Sequence, residues 1–367
     1  MVEKIKEKLG WKLLDSYILK KFLGSVVYSI ALLMTIIVVF DVSENLQRFM
    51  DKNAPLNEII FQYYFNFIPY FINLFLPLFT FISVIWFTSK LSSNNEIIAI
   101  LNGGVNFYRF IVPYIVGGLI IAFVSLILAN FIVPQTNQKL NDFKGEYFKH
   151  KVFSTTNIHI KNSATSYLYV ERWERENKTG YQFSYEAIGD SSIVYKLKAI
   201  SLQYNEEARN WTLHNYVKRY IADGVEHIES GEHMDTVFNV LPTDFNQDIN
   251  ISETMSYSKL RNFIKEEEEK GSSLVKHYQI EKNKRIANPF GTLIMTLLGL
   301  SVASRKTRRG VGVHLFIGMG LAFSFIFFQQ VSTVFSISGN LPPVIGTWIP
   351  NIIFLIICII LLRYTQK

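Results

Sequence analysis

The chain has 367 residues, a formal net charge of +7, and abundant Phe (30) and Tyr (19). Its mean hydropathy is positive, as expected when much of a chain faces lipid, and this excludes a disordered polar segment. The single Cys358 excludes an intrachain disulfide, so any soluble part must hold together by its own core.

Three long apolar runs, 17–40, 61–90 and 107–133, precede a polar segment, 134–285, and three more, 286–304, 312–335 and 343–362, follow it. A bilayer core takes about 20 mostly apolar helical residues, so the chain reads as three spans, one inserted domain and three spans. The N-terminal lysines before an apolar run look like a signal peptide. The run is long and no small-residue cleavage site follows, so it reads as a retained span.

Lys and Arg in short connections mark the cytoplasmic side. Lys4, Lys6, Lys8, Lys12, Lys20 and Lys21 place the first tail inside. The charges of the first loop balance, which places it outside. Lys90 and Arg109 return the chain inside, and Arg305, Lys306, Arg308 and Arg309 make the strongest mark. Six crossings with both termini cytoplasmic satisfy these signs and put the middle domain outside. The cluster Lys282, Lys284 and Arg285 then falls on the outer side, which long segments tolerate.

Taken in order, 13–21 is an amphipathic lead-in to span one, whose outer end carries Asp41, Glu44, Arg48 and Lys52. The simplest reading is a helix emerging into water; a functional polar rim is the alternative. Span two holds Asn66, Pro69, Asn73 and Pro77, polar groups that in lipid must be satisfied by neighbouring helices. The stretch 91–106 is too short to span and too apolar for an ordinary loop. Ser93-x-x-Glu96 has the form of a capping box. Ile97, Ile98, Ile100 and Leu101 form an apolar helical face, and Asn102-Gly103-Gly104 stops the helix. It is either a surface-lying or re-entrant helix or a docking helix, about 93–104, for a cytoplasmic partner.

From 151 to about 248 the pattern turns to period two. Runs at 167–170, 181–185, 193–202, 211–217 and 236–241 are separated by turn clusters at 177–180 and 205–210. This predicts an antiparallel sandwich or open jelly-roll. His227 and His233 fall in a charged stretch read as a loop, and no histidine spacing suggests a metal site. Helices are predicted over 256–270 and 273–285, the second running into span four, which opens with Asn288-Pro289 in its first turn. In span five, Gly318-x-x-x-Ala322 is a helix-packing face, and Phe328, Gln329, Gln330 and Thr333 lie in its outer half, three of them too polar for lipid.

No GxxxxGK[ST], HExxH, GxSxG or CxxC is present, and the spans hold almost no ionisable residue, with His314 the one weak candidate. A proton-driven carrier therefore fits poorly, and a permease with a separate ATPase fits well. No nucleic-acid partner is indicated.

Local motifs sharpen this. Leu14-Asp15-x-Tyr17-Ile18, Asn95-Glu96-Ile97-Ile98 with Gly104, Tyr278-Gln279 with Lys284 and Pro289, and Leu341-Pro342-Pro343-Val344-Ile345-Gly346 occur in this order along the chain. Together they resemble the LptF/LptG permeases of lipopolysaccharide export, closer to LptG. The resemblance covers essentially the whole chain. It implies an N-terminal membrane block (1–133), a periplasmic antiparallel β-jelly-roll domain with flanking helices (134–285) and a C-terminal membrane block (286–367) in a Gram-negative inner membrane. It further implies an LptB-type ATPase dimer that binds ATP and Mg and docks on the helix of Glu96, Ile97, Ile98, Ile100, Leu101 and Gly104. No cofactor or metal is expected in this chain itself. A second LptF/LptG-type permease and an LptC/LptA-type periplasmic bridge complete the expected set. Lipopolysaccharide would pass between span one of one permease and span five of the other. By position, Asp41, Glu44, Arg48, Lys52, Phe328, Gln329, Gln330 and Thr333 would line its cavity. Family members often carry lysines near the outer end of span one, where this chain has Asp41 and Glu44; a lipid with fewer phosphates is one explanation. Alternatives are a mechanotransmitting ABC-type protein, which usually has four spans, or an extracytoplasmic sensor or scaffold that moves no lipid.

Overall fold

The computed structural model describes residues 12–148, 154–189, 192–222, 225–245, 249–304 and 311–365. The basic link Arg305, Lys306, Arg308 and Arg309, the terminal Lys4, Lys6 and Lys8, and Lys367 lie outside the described residues. The chain divides into two compact units, Met1–Phe148 with Ile280–Lys367, and Lys149–Gln279.

In the first unit, helix α1 spans Leu13–Asp51, α2 Leu56–Ser93, α3 Glu96–Asn102 and α4 Phe107–Tyr147. Helix α6, which begins at Val275 and ends at Ala303, is followed by α7 (Val311–Ile337) and α8 (Pro343–Thr365). Among the described residues, six of these are long and apolar enough to cross a membrane. Helix α1 has 39 residues, about 58 Å at 1.5 Å per residue, so it outruns a hydrocarbon core of about 30 Å. Its start is closed by Asp15, which accepts from the Lys12 backbone N–H at 2.7 Å and pairs with Arg109 at the start of α4.

Several polar residues inside these helices find partners on neighbouring helices, as a hydrocarbon surrounding favours. Ser125 of α4 donates to Asn73 of α2 at 3.0 Å, Ser25 and Ser83 lie 2.5 Å apart between α1 and α2, and His314 of α7 meets Ser89 of α2 at 2.9 Å. Asn66 instead bonds carbonyls of its own helix, at Phe61 and Gln62. Helix α6 has the largest buried share of the six. Its Thr292, Thr296, Leu298 and Leu300 are fully enclosed, and Asn351 of α8 donates to its Ala287 carbonyl at 2.8 Å. Pro289 lies well inside α6, not in a first turn, because the two predicted stretches fuse into one helix from Val275.

The second unit holds one antiparallel sheet in chain order: β1 (Ser154–Ser163), β2 (Ser166–Glu174), β3 (Thr179–Ile188), β4 (Ile193–Asn205), β5 (Asn210–Ala222) and β6 (Val225–Thr236). The antiparallel β domain expected from the sequence is present, as an up-and-down meander. One face buries Ile158, Leu168, Val170, Trp173, Phe183, Leu197, Leu202, Trp211 and Leu213. The segment after β6 covers it: Phe245 stacks on Trp173 at 4.7 Å, and Trp211 donates to the Val240 carbonyl. Val170 and Trp173, Gly180 and Phe183, and Ala199 and Leu202 are buried pairs three residues apart, where strict alternation would give two. Gln182 and Asn215, at φ 54 and 51, mark the extra residue in β3 and β5. An extra residue in each adjacent strand keeps the ladders in step while bending the sheet.

Two local expectations are corrected here. His227 and His233 sit on β6, not in a loop, and 236–241 mostly follows that strand. Strand β6 is exposed on both faces along most of its length, so it carries no alternation to read. Helix α5 (Tyr257–Glu269) buries Leu260 and Ile264 against Tyr278, as the spacing predicts.

Candidate functional site

Four phenylalanines one turn apart, Phe67, Phe71, Phe75 and Phe79, form a column along α2, with successive ring centroids 4.1, 6.1 and 5.9 Å apart. Facing it, α1 presents Leu33, Ile36, Ile37 and Phe40. Between the two helices runs a groove of about 450 Å³, walled by these apolar side chains and closed at one end by Asp41 and Glu44. Ile36 and Phe40 are exposed, so the groove opens sideways as well.

The polar end is organised by a π-helical turn, Ile59–Tyr64, at the start of α2. Adjacent helical residues ordinarily point about 100° apart. Here both Tyr63 and Tyr64 donate to Asp41, at 3.2 Å to Oδ1 and 3.1 Å to Oδ2. Asn45 donates to the same Oδ1 at 3.0 Å and accepts from Arg48 at 2.8 Å. π-helical turns recur at functional sites because they re-aim side chains in this way. Asp41 is therefore more than the wet end of a helix: it fixes α1 to α2 where the groove stops.

Of the residues expected to line a lipid cavity, the structure brings only Asp41 and Glu44 to this groove. Arg48 is turned onto Asn45 and the Phe148 ring, 5.5 Å from its centroid, and Lys52 ends α1 as its C-cap. Phe328, Gln329, Gln330 and Thr333 lie on α7, away from the groove lining. Gln329 reaches Asn288 of α6 at 3.4 Å, Thr333 bonds the Gln329 carbonyl, and Phe328 packs on Phe354. Gly318, also on α7, abuts Ile85 of α2, and Ala322 is buried in the same core.

Helix α3 is the second candidate. Ser93 does not cap it, because α2 runs on to Ser93 and the Ser93 hydroxyl back-bonds to the Lys90 carbonyl at 2.9 Å. Asn95, at φ 61, makes the break instead. Ile97 is 3% exposed, and it packs with Ile100 and Leu101 into the core of the first membrane block. Ile97 is enclosed there, and Ile100 and Leu101 are partly buried. Glu96 and Ile98 stay accessible, Glu96 within 3.4 Å of the Tyr17 hydroxyl of α1 and 3.2 Å of Asn94. Gly104 closes the turn at φ 82, a conformation that favours glycine.

Sequence reading missed Tyr63, Tyr64 and Asn45. It missed the phenylalanine column too, which its four-residue repeat could have shown; the tyrosine pair left no such signal, because Asp41 meets them across 22 and 23 positions through a turn that breaks the 3.6 period.

Among the described residues, six helices long and apolar enough to cross a membrane, three on each side of an antiparallel β domain in the chain, define a multi-pass membrane protein. The family model for the lipopolysaccharide export system permeases LptF/LptG matches residues 16–364, and the chain belongs to that family. It is similar to LptG of Haemophilus influenzae, at 22% identity over 94% of this chain and 96% of that protein. It is also similar to LptG of Escherichia coli K12, at 18% identity over 94% of this chain and 98% of that protein.

Proposed function

We propose that this chain is the LptG-type permease subunit of an exporter that lifts lipopolysaccharide from the outer leaflet of the inner membrane toward a periplasmic bridge. The observation that carries the reading is the α1–α2 groove, apolar along its wall and polar at one end, in a chain of this family. Acyl chains lie along the phenylalanine column, and the sugar head sits at the Asp41 end. Both termini face the cytoplasm and the β domain faces the periplasm, where it hands lipid to an LptC/LptA-type bridge.

Because α7 contributes nothing to the groove lining, the missing wall comes from span five of a second LptF/LptG-type permease. This chain's Phe328, Gln329, Gln330 and Thr333 face the partner's span one in turn. An LptB-type ATPase dimer binds ATP and Mg. It docks through Glu96 and Ile98, while Ile97, Ile100 and Leu101 anchor α3 to the bundle and Gly104 shapes its exit. The buried side chains carry the stroke from α3 into α1 and α2.

Photo-crosslinking in living cells tests this. Crosslinkers at Ile36 and Phe75 should capture lipopolysaccharide, whereas one at Ile356, exposed on α8, should capture only bulk phospholipid. Equal capture at all three positions would refute the groove as the lipid path.

A further inference from the structure

The register of β5 and β6 sets His214 directly opposite His233. The neighbouring pair, Leu213 and Met234, faces the buried side of the sheet, so the two imidazoles stand on the other face. Their Nδ1 atoms lie 3.0 Å apart, and the rings meet edge to face with centroids 4.9 Å apart. Nineteen positions separate the two in the chain, which is why no ligand spacing shows in the sequence. One pair further along, Asp235 accepts from the Thr212 hydroxyl at 2.7 Å and adds a carboxylate to the same face. On β4, His214 is paired with Ser201, so no lysine or arginine occupies these flanking positions. Directly after His214, Asn215 holds φ 51, a strained backbone state for a residue with a side chain and one that recurs at ligand clamps.

We propose that His214 and His233 hold a divalent transition-metal ion of square or octahedral preference, Cu2+ or Ni2+, which clips the edge strand β6 to β5. Neutral imidazole is a ligand for such ions through either ring nitrogen. With metal–nitrogen bonds of about 2.0–2.1 Å, nitrogens 3.0 Å apart subtend about 94° at the ion. That is close to the right angle between neighbouring ligands in a square or octahedral shell and short of the tetrahedral angle that zinc takes. In the metal-free pair one Nδ1–H bonds the other Nδ1. On binding, both rings keep their single proton on Nε2 and turn both Nδ1 lone pairs to the ion. Among the described residues no group of three or more His, Cys, Asp or Glu forms a closed shell, so water fills the remaining positions and Asp235 contributes its charge through space. The clip acts where the sheet is weakest. Strand β6 is the last of the six and is exposed on both faces along most of its length, so few buried contacts hold it. An ion that binds only the paired strands stabilises their pairing by mass action. This holds whether or not the α1–α2 groove carries lipid.

The full chain, purified in detergent with a histidine-free tag and stripped of metal, tests this with Cu2+ alone. One equivalent should give an electron paramagnetic resonance spectrum with two equatorial imidazole nitrogens, and protection of the β6 amides should rise with the ion. His214→Asn and His233→Asn should each weaken Cu2+ binding about a hundredfold, because the second ligand binds intramolecularly, and should leave one nitrogen in the spectrum. His227→Asn, on the same strand but stacked on Tyr220, should change neither. A single-nitrogen spectrum from the unsubstituted chain, an equal loss in the His227 variant, or binding that adds no β6 protection overturns the proposal. The spectrum of the unsubstituted chain decides the matter even where a variant fails to fold.

Discussion

The two membrane blocks have equal numbers of spans but use their polar residues in opposite ways. In the second, Ser332 donates to the Gly346 carbonyl at 2.5 Å, Asn351 to the Ala287 carbonyl, and Thr296 to the Thr292 carbonyl. Each of these three side chains is spent on helix backbone. In the first block, Asp41, Asn45, Tyr63 and Tyr64 are gathered at one end of an open groove. The comparison teaches that polarity within a membrane helix says little about function until its partner is known. A side chain bonded to backbone serves packing, and one gathered with others beside a cavity is a candidate for a site.

The largest effect that would break this contrast is in the packing of α2 itself. Phe81 is fully enclosed against α6 and α7, whereas Phe75 lines the groove. Phe81→Ala should cost about 3–5 kcal/mol, seen as a sharp fall in the unfolding temperature of the detergent-solubilised protein. Phe75→Ala should cost about 1 kcal/mol or less yet lose lipid crosslinking. Similar destabilisation by both would mean that the groove is ordinary core.

Next in size is the polar end. Asp41→Ala strips the acceptor from the Tyr63 hydroxyl, on a side chain 1% exposed, and should cost about 1–3 kcal/mol. Asn351→Leu removes one donor to a helix carbonyl together with an Oδ1 that has no partner. It should cost about 1 kcal/mol or less. Denaturation of the two variants side by side checks the order.

The smallest effect lies in the β domain. Hydrogen bonds from Tyr220 at 2.6 Å and Lys218 at 3.2 Å hold the Glu229 carboxyl below its ordinary range. Its contribution is therefore complete above the unfolded value near 4.5 and is lost as pH falls through the lower folded value. Protection of the β6 amides, measured relative to the intrinsic exchange rate at each pH, should fall below about pH 4.5, and Glu229→Gln should flatten that dependence. An unchanged profile would detach β6 from this cluster.

Much of the architecture was legible in the chain. The six apolar runs and the strands from 167 to 217 appear where length and alternation predict them, because both signals are local. The turn at 205–210 forms as its composition suggests, with the Asn205 side chain accepting from the Glu207 and Ala208 backbone. Strand β6 was misread because an exposed strand has no hidden face to imprint on its sequence. Helix α3 was read correctly as apolar, but an apolar face does not say whether it meets a partner or its own core. The structure buries Ile97 in its own core and leaves Ile98 exposed.

By itself the sequence determined that the chain carries six apolar runs long enough to cross a membrane, with a β segment between two sets of three, and that it lacks a GxxxxGK[ST] motif. These follow from hydrophobic length, period and motif, properties of neighbouring residues. Only the tertiary structure decided that α1 and α2 part to leave a groove and that Asp41 is bonded by two tyrosines and an asparagine. Those facts depend on side chains distant in the chain meeting in space. The π-helical turn at Ile59–Tyr64 carries both tyrosines that reach Asp41.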